Sequence, residues 1–424
     1  MWYIVSAGKY DGSTIVYSLV ETAKMNGLNT FSYLQNVLLY MPGYQNESEG
    51  IEDGKRSIPG INRRPLGKVI CKGRVPGQWF VMKILMDART LGRKPSGIGI
   101  YTYNMVLALQ QYTGYEIILA TDVCGSEQLK SLKGIRILSY GTVVGKNLGL
   151  FKYCSFLQQC IEEVKPDIFW ECNNFLPQKI RNPYGHLWTT VHDIFGVNGF
   201  YGLKYKLYSI YGFRKAFRMF DTVIYNSYDT KEKTEERFPQ AKKLSSLVAY
   251  IVIPKVPERK ITDNDSFLYL GNLEYRKGTD LLLEKYRDYK KKGGTKKLRV
   301  AGKIREEKIR QQLIEAMKED PDISSIGYLE EARKYDELAS CHAFVFPSRA
   351  EGFGIPLIEA MQYYKPLIAS NLPVFREITD GLAGEHPGPV DKEKYDACTR
   401  RYLPEAIAKK ISEFITGNGY EQEQ

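Results

Sequence analysis

The stretch "EGFGIPLIEAM" (351–361) sets two carboxylates, Glu351 and Glu359, eight positions apart around a glycine turn. Gly352 and Gly354, either side of Phe353, let a ligand approach backbone N–H groups where a helix begins, and a helix N-terminus favours bound anions. Carboxylates accept hydrogen bonds, so the pair suits a hydroxyl-rich ligand such as a sugar. "YRKG" (275–278) places two cations, Arg276 and Lys277, directly before another helical pattern. "TTVHDIFGV" (189–197) ends a strand-like run on His192 and Asp193, in a chain with only 4 histidines. "SGIGIYTYN" (96–104) offers a glycine-rich loop with Gly97 and Gly99, and "DIFWECNNFLP" (167–177) offers Asn173 and Asn174. Each has an ordinary alternative when taken alone: a helix-start charge, a solvated face, a plain turn, a hydrogen-bonded structural histidine.

Such groups need elements that end and begin in the right places. From residue 83 strands and helices alternate. "KILMD" (83–87), "EIILA" (116–120), "IRILS" (135–139), "DIFWE" (167–171), "LWTTV" (187–191) and "TVIYN" (222–226) read as strands, with helices over 100–112, 151–165 and 202–220. After the turn-rich "VIPKVPERKITDNDS" (252–266) the alternation restarts. Strands are expected at 267–271, 298–302, 323–329, 343–348 and 366–370, and helices at 279–290, 305–320, 335–341 and 356–364. This order predicts parallel sheets covered by helices on both faces. Two such α/β domains, 82–255 and 265–424, would face a cleft, with ligands outside the carboxyl ends of the strands.

Composition narrows the classes. Of 424 residues, 43% are hydrophobic and 26% charged, ordinary globular proportions with room for a large core. No apolar run approaches the roughly 20 residues of a membrane helix. The N-terminus lacks the pattern of a secretion signal, so a cytoplasmic location is expected. The 7 cysteines are scattered and form no CxxC pair, which argues for reduced thiols. A net charge of +11 suits nucleic acid, an anionic membrane or phosphorylated small molecules. No helix-turn-helix, zinc knuckle or aromatic-basic motif accompanies it, so nucleic acid is not expected as a partner.

Residues 351–370 resemble the donor-binding region of the retaining GT-B glycosyltransferases (group 1, family 4), which include sucrose synthases and many bacterial mannosyltransferases. The family pattern "EGFGxPxxEAM…GxPxIAS" is matched closely, with Tyr364 where relatives carry glycine. "FLYLGNLEYRKGTDLLLEKY" (267–286) extends the likeness, with Asn272 where many relatives have arginine. The resemblance covers about 82–390. It implies a GT-B fold of two facing Rossmann-like domains. It also implies retaining transfer of a hexose, possibly mannose, from a nucleotide-diphosphate sugar to a glycan or lipid-linked acceptor, as in lipopolysaccharide and other surface polysaccharides. On this likeness Glu351 meets the donor sugar, Glu359 the ribose, and Arg276 and Lys277 the diphosphate. The loop Gly352–Phe353–Gly354 adjoins the donor, and Gly97 and Gly99 lie against the diphosphate or the acceptor. His192 sits beside the transferred sugar, so His192 and Glu351 are the expected catalytic residues, and Asn173 and Asn174 line the acceptor side. Relatives are described by front-face attack through an oxocarbenium-like transition state. Fixed cations at the leaving diphosphate would then lower the barrier. A basic surface would suit peripheral docking at the inner, anionic face of the cell membrane.

A different glycosyltransferase fold holds its nucleotide through a metal on a DxD motif. The two matches here, "DND" (263–265) and "DPD" (320–322), sit in turn-like segments that turn chemistry explains. No metal and no cofactor beyond the nucleotide sugar is therefore expected. The alternatives are an inactive fusion, a nucleic-acid-binding protein, or an epimerase on the same fold, whose usual histidine and carboxylate pattern is not evident.

Residues 1–81 read differently. "YSLVETAKMNGLNTFSYLQNVLLYMP" (17–42) holds two helical patterns and resembles the C-terminal tail of insertion-element transposases, without their catalytic carboxylates. A Gly-, Pro- and charge-rich linker follows over 42–79. Met82 is the expected functional start, and an accessory helical hairpin is the competing reading of what precedes it.

Overall fold

The computed structural model describes residues 81–417 apart from 94, 96, 145–147 and 386–388. The transposase-like helical pair and the linker after it lie outside the described residues.

The first domain contains β1 (Lys83–Asp87), α1 (Gly97–Tyr112), β2 (Glu116–Thr121), α2 (Glu127–Ser131), β3 (Arg136–Ser139), α3 (Leu148–Val164), β4 (Ile168–Glu171), β5 (His186–Val191), α4 (Phe195–Asn198), α5 (Leu203–Met219), β6 (Thr222–Tyr225), α6 (Tyr228–Arg237) and β7 (Ser245–Val248). Its seven strands run parallel in the order β3-β2-β1-β4-β5-β6-β7. The second domain contains β8 (Ser266–Leu270), α7 (Thr279–Lys291), β9 (Lys297–Ala301), α8 (Glu307–Glu319), β10 (Ile323–Gly327), α9 (Glu331–Ser340), β11 (Ala343–Phe346), α10 (Ile355–Gln362), β12 (Leu367–Ala369), α11 (Pro373–Ile378), α12 (Lys392–Arg400) and α13 (Pro404–Thr416). Its five strands are parallel in the order β10-β9-β8-β11-β12. Two parallel-sheet, Rossmann-like domains are the GT-B architecture.

Burial on both faces explains the strand sequences. β1 is buried at its last four positions and β4, β6 and β11 throughout, so these strands are nearly continuous apolar runs instead of alternating ones. In each sheet the order reverses at one place, between β1 and β4 and between β8 and β11. Such switch points open a crevice beyond the strand ends.

Gly97 and Gly99 fall in the first turn of α1, which begins three residues before the expected helix, instead of in an open loop. A Cβ at Gly99 would sit 2.4 Å from the Thr90 carbonyl oxygen and 2.6 Å from Pro95 Cβ, so the chain folding back from β1 fills that space. A Cβ at Gly97 would meet no non-neighbouring atom of the described residues within 4 Å.

The chain passes between the domains twice, at 249–265 and at 401–403. The first passage is extended and held down: Asn104 Nδ2 donates to the Val252 carbonyl (3.0 Å), and Lys365 Nζ to that of Thr262 (2.7 Å). The second is tied to it, with Ile253 N donating to Tyr402 O at 2.8 Å. Beyond it α13 returns to the first domain, where Phe414 meets the Trp188 ring (5.7 Å) and Ser412 the Tyr115 hydroxyl (2.9 Å).

Candidate functional site

The loops after β8 and β11 meet at the switch point of the second sheet. After β8 the chain makes one tight turn over Tyr275–Lys277 and leaves it at Gly278, with φ +70°. A Cβ on Gly278 would lie 1.9 Å from the Pro347 carbonyl oxygen, so only glycine lets the two loops close on each other. Lys277 Nζ then donates to Glu351 Oε1 (2.5 Å), and Ser348 Oγ donates to the same oxygen (2.8 Å). Arg276 Nη1 lies 3.6 Å from Glu351 Oε2. Arg276 is fixed further by Glu274 (2.7 Å) and the Ala350 carbonyl (2.9 Å), with its guanidinium carbon 5.1 Å from the Phe195 ring centre. Arg349 braces the loop through a two-pronged contact with Asp280 at 2.6 and 2.9 Å. Glu351 is buried among these cations. Ser348, Glu274 and Arg349 were not singled out in the sequence.

Gly354 precedes α10 at φ +131°, a backbone state that glycine tolerates. Phe353 is buried against the Tyr250 and Tyr402 rings (6.0 and 5.7 Å), so it anchors the loop from behind. Glu359, one turn into α10, is buried and accepts from Lys334 Nζ of α9 at 2.6 Å. Burial pushes the Glu359 carboxyl above its ordinary range, and Lys334 works against that. Lys334 stands 25 residues from Glu359. No local spacing pairs them, and only the packing of α9 on α10 does.

Across the cleft, a Cβ on Gly352 would lie 2.4 Å from the His192 carbonyl oxygen, so glycine permits this close approach of the two domains. Asn226 Nδ2 also donates to that carbonyl (2.9 Å). The Thr230 hydroxyl reaches the Gly352 carbonyl (3.4 Å), and both oxygens of Glu377 accept N–H groups at the start of α6, from Tyr228 (2.7 Å) and Asp229 (2.9 Å). A pocket in the cleft is lined by Asp193, Ile194 and Phe195 on one side and Arg349, Ala350, Glu351 and Gly352 on the other. Glu359, Arg276, Lys277 and the His192 side chain are not among its lining residues.

The His192 ring is buried edge-on to Tyr101 (4.6 Å), and its Nε2 lies 2.8 Å from the Cys172 carbonyl. Burial pushes its pKa down to about 4, with the Cys172 carbonyl working the other way. A neutral imidazole facing a carbonyl must carry its proton on Nε2, which leaves the Nδ1 lone pair available. Asp193 accepts from Phe195 N (3.0 Å) and so shapes the turn into α4; burial raises its carboxyl, against the Phe195 N–H and Arg276. Asn174, at φ +54°, holds the His192 N–H with its side-chain oxygen (2.9 Å). Asn173 donates its backbone N–H to Glu171 Oε1 (2.9 Å).

Behind these segments lies a cluster that sequence reading missed. β1 and β4 pair in register, which sets Asp87 beside Glu171. Arg89 reaches both, at 2.8 and 3.0 Å, and the Tyr153 hydroxyl donates to Asp87 (2.8 Å). Burial alone would lower the Arg89 guanidinium, but the Asp87 and Glu171 charges overcome it and hold it above its ordinary value. Burial raises Glu171 well above the ordinary range, with Arg89 opposing.

The DxD carboxylates are engaged locally. Asp263 meets His342 (2.7 Å), Asp322 meets Lys290 (2.6 Å), and Asp320 accepts from Asp322 N (2.9 Å). Among the described residues no group of three or more His, Cys, Asp or Glu is placed to hold a metal ion. None of the described helices is long and apolar enough to cross a membrane.

Comparison with known proteins gives the same two-domain picture. Anabaena HepE, solved with UDP and glucose, superposes with a TM-score of 0.60 at 16% identity, covering 79% of this chain and 100% of its own. The lipopolysaccharide outer core galactosyltransferase WaaB superposes at 0.55 and 16% identity, covering 80% and 100%. An uncharacterized glycosyltransferase of Methanocaldococcus jannaschii is 26% identical over 340 residues, 74% of this chain and 88% of that protein. The serotype-specific mannosyltransferase WbdA of Escherichia coli is 30% identical over 135 residues, 30% of this chain, and the chain spans only 16% of its length. Residues 255–423 match the family model "Glycosyl transferases group 1". The second domain, with its cation pair and its two glutamates, thus matches the group 1 glycosyltransferase model and is set in a GT-B fold.

Proposed function

We propose that this protein is a retaining glycosyltransferase that moves a hexose from a nucleotide-diphosphate sugar to a glycan or lipid-linked acceptor in surface polysaccharide assembly. The observation that carries this reading is the convergence of Lys277 and Arg276 on Glu351 at the second sheet's switch point, with Gly352 pressed against the His192 carbonyl. Transfer breaks the bond between the sugar and the diphosphate, and negative charge grows on the departing oxygen. Fixed cations there stabilise that charge without a metal ion. Until donor arrives, Glu351 balances Lys277; a phosphate then competes for the lysine and leaves Glu351 to accept from sugar hydroxyls. Glu359 takes the ribose. His192, neutral at pH 7, offers the transferred sugar a lone pair without adding a positive charge beside a cationic transition state. Asn173 and Asn174 face the acceptor side. Names among the relatives favour mannose, since WbdA and the O-antigen chain mannosyltransferase B of Escherichia coli (29% identical over 157 residues) are both mannosyltransferases. The two neighbouring structures support a nucleotide-sugar donor, HepE because it binds UDP and glucose and WaaB because it is a galactosyltransferase. The protein works in the cytoplasm, at the inner surface of the cell membrane.

The test is thermal stabilisation by GDP-mannose, UDP-glucose and UDP-N-acetylglucosamine, each with EDTA and with Mg2+ or Mn2+. One donor should raise the midpoint equally in both conditions, and NMR of the product should show the donor's anomeric configuration. No stabilisation by any donor sinks the donor site. Stabilisation only with metal sinks metal independence, and an inverted product sinks retention.

A further inference from the structure

Among the described residues, eighteen large apolar or aromatic side chains are exposed, and seven of them lie between 200 and 211: Phe200, Tyr201, Leu203, Tyr205, Leu207, Tyr208 and Tyr211. Leu203, Leu207 and Tyr211 are 71%, 61% and 64% exposed. From Gly196 to Met219 the chain has five basic residues (Lys204, Lys206, Arg214, Lys215 and Arg218) and no acidic one. Along α5 the exposed positions are 203, 204, 205, 207, 208, 211, 214 and 218, and among them 203, 207, 211, 214 and 218 recur every three or four residues, so these share one face. Its first turns are apolar and aromatic and its last turns cationic. The opposite face is packed: Phe213 and Phe217 are buried in the core, and a Cβ on Gly212 would collide with the Phe175 ring at 2.3 Å. The exposed rings are therefore held on a firm base, with Tyr205 6.1 Å from Tyr208 and Tyr208 5.5 Å from Phe175.

A solvated face does not need seven large apolar side chains, and a nucleic-acid groove does not need leucines. Leucine and tyrosine interleaved with lysine and arginine, with no carboxylate to repel phosphate, fit the boundary between lipid headgroups and acyl chains. We infer that residues 200–218 form a docking face for an anionic phospholipid bilayer, in which Leu203, Leu207 and Tyr211 enter the interface while Arg214 and Arg218 meet lipid phosphates. The face leads to the cleft through two contacts: Phe200 lies 5.7 Å from Phe195, and Phe195 lies under the Arg276 guanidinium at 5.1 Å. A bilayer held there would present a lipid-linked acceptor beside the donor cations. The inference rests on the membrane part of the reading above and is independent of the transfer reaction.

The full chain is spun with vesicles of phosphatidylcholine containing 30% phosphatidylglycerol, with no nucleotide sugar present. Binding is expected, and is expected to vanish with pure phosphatidylcholine or high salt. The double variant Leu207→Ser, Tyr211→Ser should weaken partitioning at least tenfold, and Arg214→Gln and Arg218→Gln about fivefold each. All four positions are exposed, and donor-induced thermal shifts should stay as in the parent, which separates this outcome from failure of the donor site. Hydrogen exchange on the unaltered chain gives a second readout: 200–218 should gain protection on vesicle addition. Parent protein left in the supernatant overturns the inference. So do variants that bind as the parent does, vesicle protection elsewhere only, and a concentration-dependent dimer lost in the double variant. DNA retention lost with Arg214→Gln, without vesicle binding, overturns it in favour of nucleic acid.

Discussion

The loops after β8 and β11 and the segments after β4 and β5 occupy equivalent places, each at the carboxyl end of a parallel sheet. They use their polar groups differently. In the second domain the side chains of Lys277, Arg276 and Ser348 all meet the Glu351 carboxylate, the lysine from 74 residues away in sequence. In the first domain Asn174, Asp193 and His192 bond mainly to main chain near them. A charged pair can exchange its partner for a ligand. A side chain spent on its own backbone sets shape. On the proposed reading the second domain would handle the leaving group, while the first would supply a rigid wall in which only the Nδ1 lone pair of His192 is left for the sugar.

Substitutions can break that contrast. Lys277→Ala should cost the most, with turnover falling by roughly 100- to 1000-fold, as for loss of one preorganised charge-stabilising donor. Steady-state kinetics check it, and a loss below about threefold would place the leaving-group charge elsewhere. Next comes pH. His192 has a folded pKa of about 4 against an ordinary 6.5, so the unfolded chain binds the proton first. Its contribution is fully present above pH 6.5 and is lost as pH falls through 6.5 toward 4, up to about 3 kcal/mol. Urea melts across that window should show the loss, and His192→Gln should flatten it. Asn174→Ala removes the acceptor of the His192 N–H and leaves a non-glycine residue at positive φ, costing about 1–2 kcal/mol. Asn174→Gly should recover part of it. A wall residue should change stability more than donor affinity, and the reverse result would make Asn174 a ligand group. Smallest is Tyr364→Gly. Tyr364 sits at φ +55°, where glycine is relaxed, yet its hydroxyl donates to Asp396 at 2.9 Å. The two effects oppose, so the net change should stay within about 1 kcal/mol.

Most of the sheets were legible because buried parallel strands are short apolar runs, and β1 appears at the residues expected. Elements without that signal were missed. α6, "YDTKEKTEER", has almost no apolar face; it forms because Ser227 caps it (accepting from Thr230 N) and Glu377 binds its first N–H groups from the other domain. β7, "SSLV", is half polar and needs β6 beside it. At the site, the glycine and charge motifs were visible because glycine and cation spacing is local. Lys334 under Glu359 and Arg89 between Asp87 and Glu171 were not, because each pairing exists only after helices pack or strands register.

The last helix changes what kind of joint connects the two domains. A single linker would act as a tether, free to swivel and twist. Here two strands of chain cross side by side, fastened by the bond from Ile253 to Tyr402, and α13 is seated on the far side. Two parallel straps behave like a door on a pin. They permit swing about one axis and resist torsion, so the jaws should return to the same register at every cycle, with Gly352 meeting the same carbonyl each time.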